Sequence, residues 1–389
     1  MRWGKVRGMS MIAMSGLLLL GLAGSLNLAQ LKPALAGLQG RSNSPIQTDR
    51  QTPFEKNPDL MVQKPMPNDS ELVSANTRFG FNLYSAILEK DAGKNVFVSP
   101  SSVAIALSMV YNGANGQTKQ AIANALEVQG MSLTDLNRAN ADLIALLKNP
   151  DPKVQLAIAN SLWARQGISF NPEFLQVNQQ FYQAKVTDLD FDDPKSVGII
   201  NQWVSDNTRG KIPEIVDSLN PDDLMVLINA IYFKGNWSKQ FDKQQTTQQP
   251  FYSAAGGQKQ HPMMTQRGEY RYYENAEFQA VSLPYGDNRR MSMVILLPRQ
   301  ASSLAKLHQN LTAENWENWM QQLRSRPGSI QIPRFKLEYS TELTLMLSKL
   351  GMGVAFTRQA DFSNLSPVPA AIDQVKHKTF VEVNEEGTA

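Results

Sequence analysis

The sequence contains no cysteine and only three histidines among its 389 residues. Without cysteine, the chain can form neither a disulfide bond nor a thiolate metal site, so its stability must come from packing. His261, His308 and His377 do not occur in a zinc-binding spacing such as His-Glu-x-x-His. We therefore expect no metal and no cofactor, and we expect His308 to be a solvated residue on a helix that begins near Ser302.

Motifs of the common nucleophilic and phosphate-binding enzymes are also missing. The sequence has no G-x-S-x-G nucleophile elbow and no G-x-x-x-x-G-K-[ST] phosphate loop. Asp188, Asp190 and Asp192 imitate the start of a calcium loop. However, Asp193 replaces the required glycine and Ile199 replaces the bidentate glutamate. We therefore expect no catalytic residues, and a hydrolase is the least favoured functional hypothesis.

The chain also lacks a large excess of either charge. Its formal net charge is +3, and four of its basic residues lie in the first 36 residues, which contain no acidic residue. Without that segment the chain holds 34 basic and 35 acidic residues. Because a nucleic-acid partner requires a concentrated basic face, we expect none.

The amino terminus has the pattern of an export signal. Basic residues precede an apolar run over residues 9–22, and Ala34-Leu35-Ala36 provides a small-residue cleavage site. We expect residues 1–36 to be a signal peptide and the product to be exported, extracellular or periplasmic, without stable membrane association once the leader is removed. An uncleaved membrane anchor is the alternative, because the apolar run extends to about Leu28 and approaches spanning length.

Residues 37–68 hold five prolines among polar residues and are typical of a flexible linker. The folded domain is expected over residues 69–389. Within it, helical periodicity dominates the first half and strand patterns the second, which favours an α+β class over a regular βαβ alternation. Phe79, Leu83 and Ile87 recur every four residues and predict the buried stripe of the first helix. The serines at residues 99–102 predict the cap of the second helix, and Asn171-Pro172 predicts the start of a later one. The almost continuously apolar residues 224–233 predict an interior strand covered on both faces.

The end of the chain combines a strand pattern with small residues. Thr379, Val381 and Val383 fall on one side of a period-two strand, which predicts one well-buried face. The following residues, 385–389, read Glu-Glu-Gly-Thr-Ala. They fit a solvated turn. The alternative is a hinge at which a mobile segment folds back and enters a sheet, since nothing bulky would have to be buried.

Seven segments from about Leu72 onward carry a family resemblance. They are residues 95–114, 228–237 (INAIYFKGNW), 283–286 (LPYG), 333–336 (PRFK), 350–352 (LGM), 360–363 (ADFS) and 375–388. In this order they closely resemble the serpins, the large serine-protease inhibitors, and the chain is identified as a bacterial-type member. The resemblance implies helices packed around a large central sheet, with two further sheets.

The resemblance also implies a function. In that family a protease cleaves an exposed reactive loop, and the loop then inserts into the central sheet and carries the acyl-linked protease with it. The chain is thus expected to be a serine-type endopeptidase inhibitor and a single-use trap, not an enzyme. Its expected partner is a serine protease, or alternatively a cysteine protease, and it is expected to be a monomer. A non-inhibitory binding protein on the same scaffold is the alternative.

The resemblance assigns three groups of site residues. The reactive-loop hinge comprises Glu385, Glu386, Gly387, Thr388 and Ala389. The shutter, a polar cluster beneath the point where the central strands part, comprises Ser99, Pro100, Ser102, Asn229 and His377. The slot entrance comprises Trp237, Phe241 and Thr246. A static core hydrogen-bond network is the alternative for the shutter, and an ordinary core aromatic is the alternative for Trp237.

The chain stops just inside this hinge. The bait loop, the reactive bond and the later strands that the family supplies to its second and third sheets all lie beyond Ala389. The protease preference therefore cannot be read. We expect a partial sequence or an early stop, and no inhibition by the chain as it stands.

Overall fold

The computed structural model describes residues 67–389 except 149, 221–222 and 254–256. The predicted signal peptide lies outside the described residues. So does the predicted linker, apart from its last two residues, which begin the first helix. None of the helices in the described part of the chain is long and apolar enough to cross a membrane.

The helices occupy most of the first half of the described chain. They are α1 (Pro67–Lys90), α2 (Pro100–Tyr111), α3 (Gly116–Ala125), α4 (Leu133–Leu147), α5 (Pro172–Tyr182), α6 (Lys195–Asn207), α7 (Leu304–Gln309), α8 (Ala313–Gln322) and α9 (Thr344–Leu347). Asn171 begins α5 as predicted, because its side chain accepts a hydrogen bond from the Glu173 N–H. The predicted serine cap of α2 is wrong, because the Ser99 side chain makes no capping bond.

The strands fall mainly in the second half. They are β1 (Val154–Arg165), β2 (Lys185–Leu189), β3 (Met225–Asn236), β4 (Thr247–Tyr252), β5 (Gln258–Glu274), β6 (Phe278–Tyr285), β7 (Met291–Pro298), β8 (Arg324–Pro333), β9 (Phe335–Glu342), β10 (Lys376–Val383) and β11 (Gly387–Thr388). This arrangement confirms the predicted α+β class.

The central sheet has six strands in the order β2-β1-β3-β11-β10-β9. Its strands pair antiparallel except β1 and β2. The short strand β11 is the only element between β3 and β10 in the described chain, and it covers two residues of their length. The remaining length of the two strands is therefore not bridged by a strand.

The strand β3 departs from the sequence prediction. Ile228, Ala230 and Tyr232 are buried, and Ile228 packs with Ile200 and Val204 of α6. The intervening residues are only half-buried. A cavity of about 330 Å³ lies beside the first half of β3, between α2 and residues 369–378. The prediction that both faces are covered therefore holds in part: α6 covers one face, and α2 covers the other through Ile105 and Met109, which pack against Leu227, but the cavity leaves that second face only half-buried.

The second sheet is organised by the long strand β5. Its first part pairs with β4, its last part pairs with β6, and β8 pairs with most of its length. β7 continues the sheet beyond β6. The two further sheets that we expected therefore share β5 and form one connected five-stranded set in the described residues.

The largest apolar cluster joins α1 and α2 to the second sheet. Phe79, Leu83 and Ile87 form the predicted stripe of α1, and all three are fully buried. Burial of each such side chain contributes about 1.5 to 3 kcal/mol to the free energy of folding. This core holds α2 against the central sheet, where the candidate site lies.

Candidate functional site

The hinge residues form a tight turn followed by a strand. The Asn384 N–H donates to the Gly387 carbonyl over 3.0 Å, and the Asn384 side-chain oxygen accepts from the Glu386 and Gly387 N–H groups. The chain then returns antiparallel to β10, with Val383 opposite Thr388. The Ala389 N–H donates to the Glu382 carbonyl over 2.8 Å. The turn and the strand insertion that the sequence left as alternatives therefore both occur.

Gly387 is required by the closeness of β3. A Cβ atom at this position would lie 2.0 Å from the Gly235 carbonyl oxygen and 2.8 Å from the Asn236 Cα. Both neighbours are backbone atoms of β3 and cannot rotate away. The absence of a side chain at Gly387 is therefore what permits β11 to pair with β3.

The slot-entrance residues hold the turn from the other side. The Trp237 backbone N–H donates to the Glu386 carbonyl and its indole N–H to the Asn384 carbonyl, each over 2.9 Å. The Phe241 N–H donates to the Glu385 carbonyl over 2.9 Å. Trp237 is also buried. It is therefore a core aromatic that at the same time donates one hydrogen bond to the hinge and one to Asn384 directly before it.

The two glutamates of the hinge have different surroundings. Glu385 is only 3% exposed, its carboxylate accepts a hydrogen bond from Thr246 over 2.7 Å, and Arg334 lies 3.6 Å away. Glu386 is exposed and pairs with Lys243 over 2.6 Å, which holds the pKa of Glu386 below its usual range. The solvated interpretation is therefore correct for Glu386 and wrong for Glu385.

Thr388 enters the interior with a hydrogen bond. It is 3% exposed, and its hydroxyl lies 2.6 Å from the hydroxyl of Tyr285, which is 0% exposed. Burial raises the pKa of Tyr285, so the phenol is neutral at physiological pH. Sequence reasoning did not assign Tyr285, Arg334 or Lys243 to the site, although Tyr285 and Arg334 lie in the LPYG and PRFK motifs, because the hinge sequence carries no signal of what it packs against.

One half of the shutter joins α2 to β10. The Ser99 N–H donates to His377 Nε2 over 3.0 Å, so this ring nitrogen is unprotonated and accepts. Burial lowers the pKa of His377 from 6.5 to about 4. The neighbouring Thr379 hydroxyl donates to the Phe97 carbonyl over 2.6 Å. Pro100, the first residue of α2, is buried beside Ser99.

The other half of the shutter joins α2 to β3 and β1. The Ser102 hydroxyl donates to the Asn229 side-chain oxygen. The Asn229 amide donates to Asn160 over 2.6 Å, and the Asn160 amide donates to the Tyr182 carbonyl over 2.6 Å. Asn160 was not predicted as a site residue. The signal available for it was a buried-strand pattern in which Asn160 and Ser161 interrupt the apolar residues 156–164.

A channel separates these two halves. It runs between β3 and β10 from Ala389 to the shutter, and Asn229 lines one side while His377 lines the other. The helix α2 forms its floor, because Ser99 and Ser102 both border it. A single helix thus anchors both strands that flank the channel, through different serines.

His308 differs from its prediction. It is half-buried, its ring packs edge-on against Tyr84 at 5.8 Å, and its Nε2 has no hydrogen-bond partner among the residues described. Burial lowers the pKa of His308. The prediction of a solvated surface residue is therefore wrong. The described residues hold no group of histidine and acidic side chains that could bind a metal ion.

The class of fold is defined by helices packed around a central sheet, by a channel between two of its middle strands, and by a glycine turn that pairs with both strands at the top of that channel. A family model described as "Serpin (serine protease inhibitor)" matches residues 74–389, and the chain therefore belongs to the serpin family. This membership confirms the predicted family and the expectation that the protein is not an enzyme.

Named relatives and solved structures agree with this assignment. Serpin B6 of Macaca fascicularis is 37% identical over 327 residues, which cover 82% of this chain and 86% of the relative. The human leukocyte elastase inhibitor is 36% identical over 334 residues, which cover 82% of this chain and 87% of that inhibitor. The crystal structure of cleaved kallistatin complexed with heparin matches with a TM-score of 0.78 and 29% sequence identity. The match covers 82% of this chain and 96% of the kallistatin chain.

The roles that the resemblance implies for the hinge, shutter and slot-entrance residues stay predictions. The bacterial type and the early end of the chain stay predictions as well.

Proposed function

We propose that this serpin inhibits serine endopeptidases as a suicide substrate, by inserting its cleaved reactive loop between β3 and β10. The observation that carries the proposal is β11: the hinge already pairs with both strands, and the channel continues beyond Ala389 toward the shutter. A strand that continued in the same register would next pair with Val381 of β10. It would then run on between Asn229 and His377.

The energy for trapping would come from completing the sheet. The parts of β3 and β10 beyond β11 have no strand between them in the described residues, so the groups that face the channel lack a ladder partner. An inserted strand would supply those hydrogen bonds and bury its alternate side chains. Insertion is therefore favourable once cleavage frees one end of the loop.

The chemistry of the first inserted residues supports an inhibitory role. Gly387 has no side chain to obstruct docking, and Thr388 is small and finds a hydroxyl partner in the interior. Neither residue brings an unpaired charge into the sheet. A hinge of this composition can enter the sheet quickly, as a trap must.

The test is to incubate the complete gene product with trypsin-like, chymotrypsin-like and elastase-like proteases and to look for a complex that resists denaturing electrophoresis. Such a one-to-one complex is expected with at least one of these proteases. The control is Thr388→Arg, which would bury an unpaired charge at a 3% exposed position. That variant should be cleaved as a substrate without forming the complex.

Two outcomes would contradict the proposal. Cleavage of both proteins without any complex would show that insertion does not trap the protease. A folded protein that no protease cleaves in its loop would instead favour the non-inhibitory binding protein on this scaffold.

We also propose that the protein is exported. The basic residues, apolar run and Ala34-Leu35-Ala36 site support this. Amino-terminal sequencing of secreted protein is expected to begin at Gly37. An amino terminus at Met1 in membrane-bound material would favour the uncleaved anchor.

A further inference from the structure

The ring of Tyr285 is immobilised beneath the point where β11 meets β3. It stacks on Trp237 with ring centroids 4.6 Å apart and an interplanar angle of 12°, and Phe233 packs against it at 5.3 Å. A Cβ atom on Gly235 would lie 2.9 Å from its Cδ1 atom, so the ring occupies the space that a side chain would need there. The ring therefore cannot swing its hydroxyl toward another partner without disturbing β3 and Trp237.

The Tyr285 hydroxyl and the Thr388 hydroxyl satisfy each other. Their oxygens lie 2.6 Å apart, and no other hydrogen-bond partner occurs for either of them in the described part of the chain. Both residues are almost completely removed from water. Each hydroxyl would therefore be buried and unpaired if the other were missing.

This hydrogen bond exists only while the hinge is docked. Thr388 belongs to β11, whose ladder bonds to β10 and β3 must break before Thr388 can leave. When it leaves, the Tyr285 hydroxyl can be hydrated from the vacated site. The bond therefore stabilises the docked state and not the undocked state, so it can shift the equilibrium between them.

We propose that Tyr285 is a positioning residue that reads the hydroxyl group of residue 388 and so sets the docking equilibrium of the hinge. It selects threonine or serine at this position over valine, which has the same shape as threonine but no hydroxyl. The inference deepens the proposed function, since docking of Thr388 is the first step of loop insertion. Docking can nevertheless be measured without any protease.

The experiment is amide hydrogen exchange on the full chain. The Ala389 N–H bonds to the Glu382 carbonyl and the Glu382 N–H bonds to the Ala389 carbonyl, so exchange of these two amides reports undocking of β11. Amides between β9 and β10 serve as an internal reference for the folded sheet. The variants are Thr388→Val, Thr388→Ser, Tyr285→Phe and the double variant Tyr285→Phe with Thr388→Val.

Thr388→Val and Tyr285→Phe are each expected to accelerate exchange of the two hinge amides about tenfold, because each leaves one buried hydroxyl unpaired. Thr388→Ser keeps the hydroxyl and should stay within about threefold of the unmodified chain. The double variant should exchange more slowly than either single variant, because it leaves no unpaired hydroxyl. Reference amides should be unchanged throughout.

A purely structural role of the two side chains would give a different pattern. Thr388→Ser would then be more damaging than Thr388→Val, since it loses a methyl group, and the effects of the single variants would add in the double variant. Either result would overturn the inference. If Tyr285→Phe fails to fold, the comparison of Thr388→Val with Thr388→Ser still shows whether the hydroxyl group or the methyl group of residue 388 controls exchange of the hinge amides.

The result separates this inference from the proposed function. The protein could form protease complexes while its hinge amides exchange at the same rate with and without the two hydroxyl groups. That result would support the proposed inhibition and overturn the role of Tyr285. The protein could instead show the expected exchange pattern and form no protease complex. That result would support the role of Tyr285 and overturn the proposed inhibition.

Discussion

Among single residues, His377 makes the shutter sensitive to acid. Its Nε2 accepts the Ser99 N–H and must be unprotonated to do so. Burial lowers its pKa to about 4 in the folded protein, from 6.5. Between these two values the unfolded state binds a proton that the folded state does not. The free energy of unfolding therefore falls as the pH drops from about 6.5 to about 4.

We predict that His377 alone lowers the free energy of unfolding by about 2 to 3 kcal/mol between about pH 7 and about pH 4.5. Denaturant unfolding curves over this range measure the effect. His377→Gln keeps an acceptor oxygen but cannot titrate, so its stability should depend less on pH. An identical pH dependence in both proteins would show that another group is responsible.

Gly387 decides whether the hinge can dock. We predict that Gly387→Ala prevents pairing of β11 with β3, because the new methyl group would lie 2.0 Å from the Gly235 carbonyl oxygen. Limited proteolysis should then cut within residues 384–389, while the β9–β10 ladder keeps its protection. Gly198→Ala on α6 is the matched control, since no atom lies within 4 Å of the Cβ position there. Equal protease resistance of both variants would contradict the prediction.

Among the elements, α2 connects the strands on the two sides of the channel. Ser99 bonds to His377 of β10, and Ser102 bonds to Asn229 of β3. The helix itself is buried over nearly its whole length, so its position is determined by packing. Separation of β3 from β10 must therefore either break one of these serine contacts or move the helix.

We predict that Ser102→Ala lowers the free energy of unfolding by about 1 kcal/mol, because it leaves the half-buried Asn229 oxygen without its donor. It should also increase the polymer fraction on size-exclusion chromatography. The adjacent Ser101 is buried, and its hydroxyl has no partner among the described residues. Ser101→Ala should therefore be neutral or slightly stabilising. If both variants lose stability equally, the loss reflects packing and not the hydrogen bond.

The strand β10 shows how an element divides its contacts between two faces. His377, Thr379, Val381 and Val383 are buried, as the period-two pattern predicted for the last three. On the other face, Lys376 pairs with Asp217 over 2.8 Å. This pair joins β10 to the connection between α6 and β3, which therefore covers part of the outer face of the sheet.

At the scale of the whole molecule, the proposed function requires a fold that is more stable once the loop is inserted. We predict that nicking the reactive loop of the complete gene product raises its melting temperature by about 10 °C or more, which corresponds to several kcal/mol for a chain of this size. Differential scanning calorimetry before and after nicking measures this. Thr388→Arg, nicked in the same way, should gain much less. No gain in the unmodified protein would contradict a metastable fold.

Local patterns in the sequence predicted a large part of the fold. The spacing of Phe79, Leu83 and Ile87 predicted the buried face of α1, and Asn171-Pro172 predicted the start of α5. The order of the motifs predicted the family. These features could be read because helix and strand periods, helix starts and family motifs are properties of neighbouring residues in one chain.

The sequence by itself thus determined the α+β class, the buried face of β10 and the small composition of the hinge. Only the tertiary structure decided which groups these residues meet. The His377 ring accepts from a residue 278 positions away, and Thr388 bonds to a residue 103 positions away. Sequence reasoning also missed the burial of Glu385 and of His308. Hydrogen-bond partners and burial depend on which elements pack together, and periodicity along the chain carries no information about that.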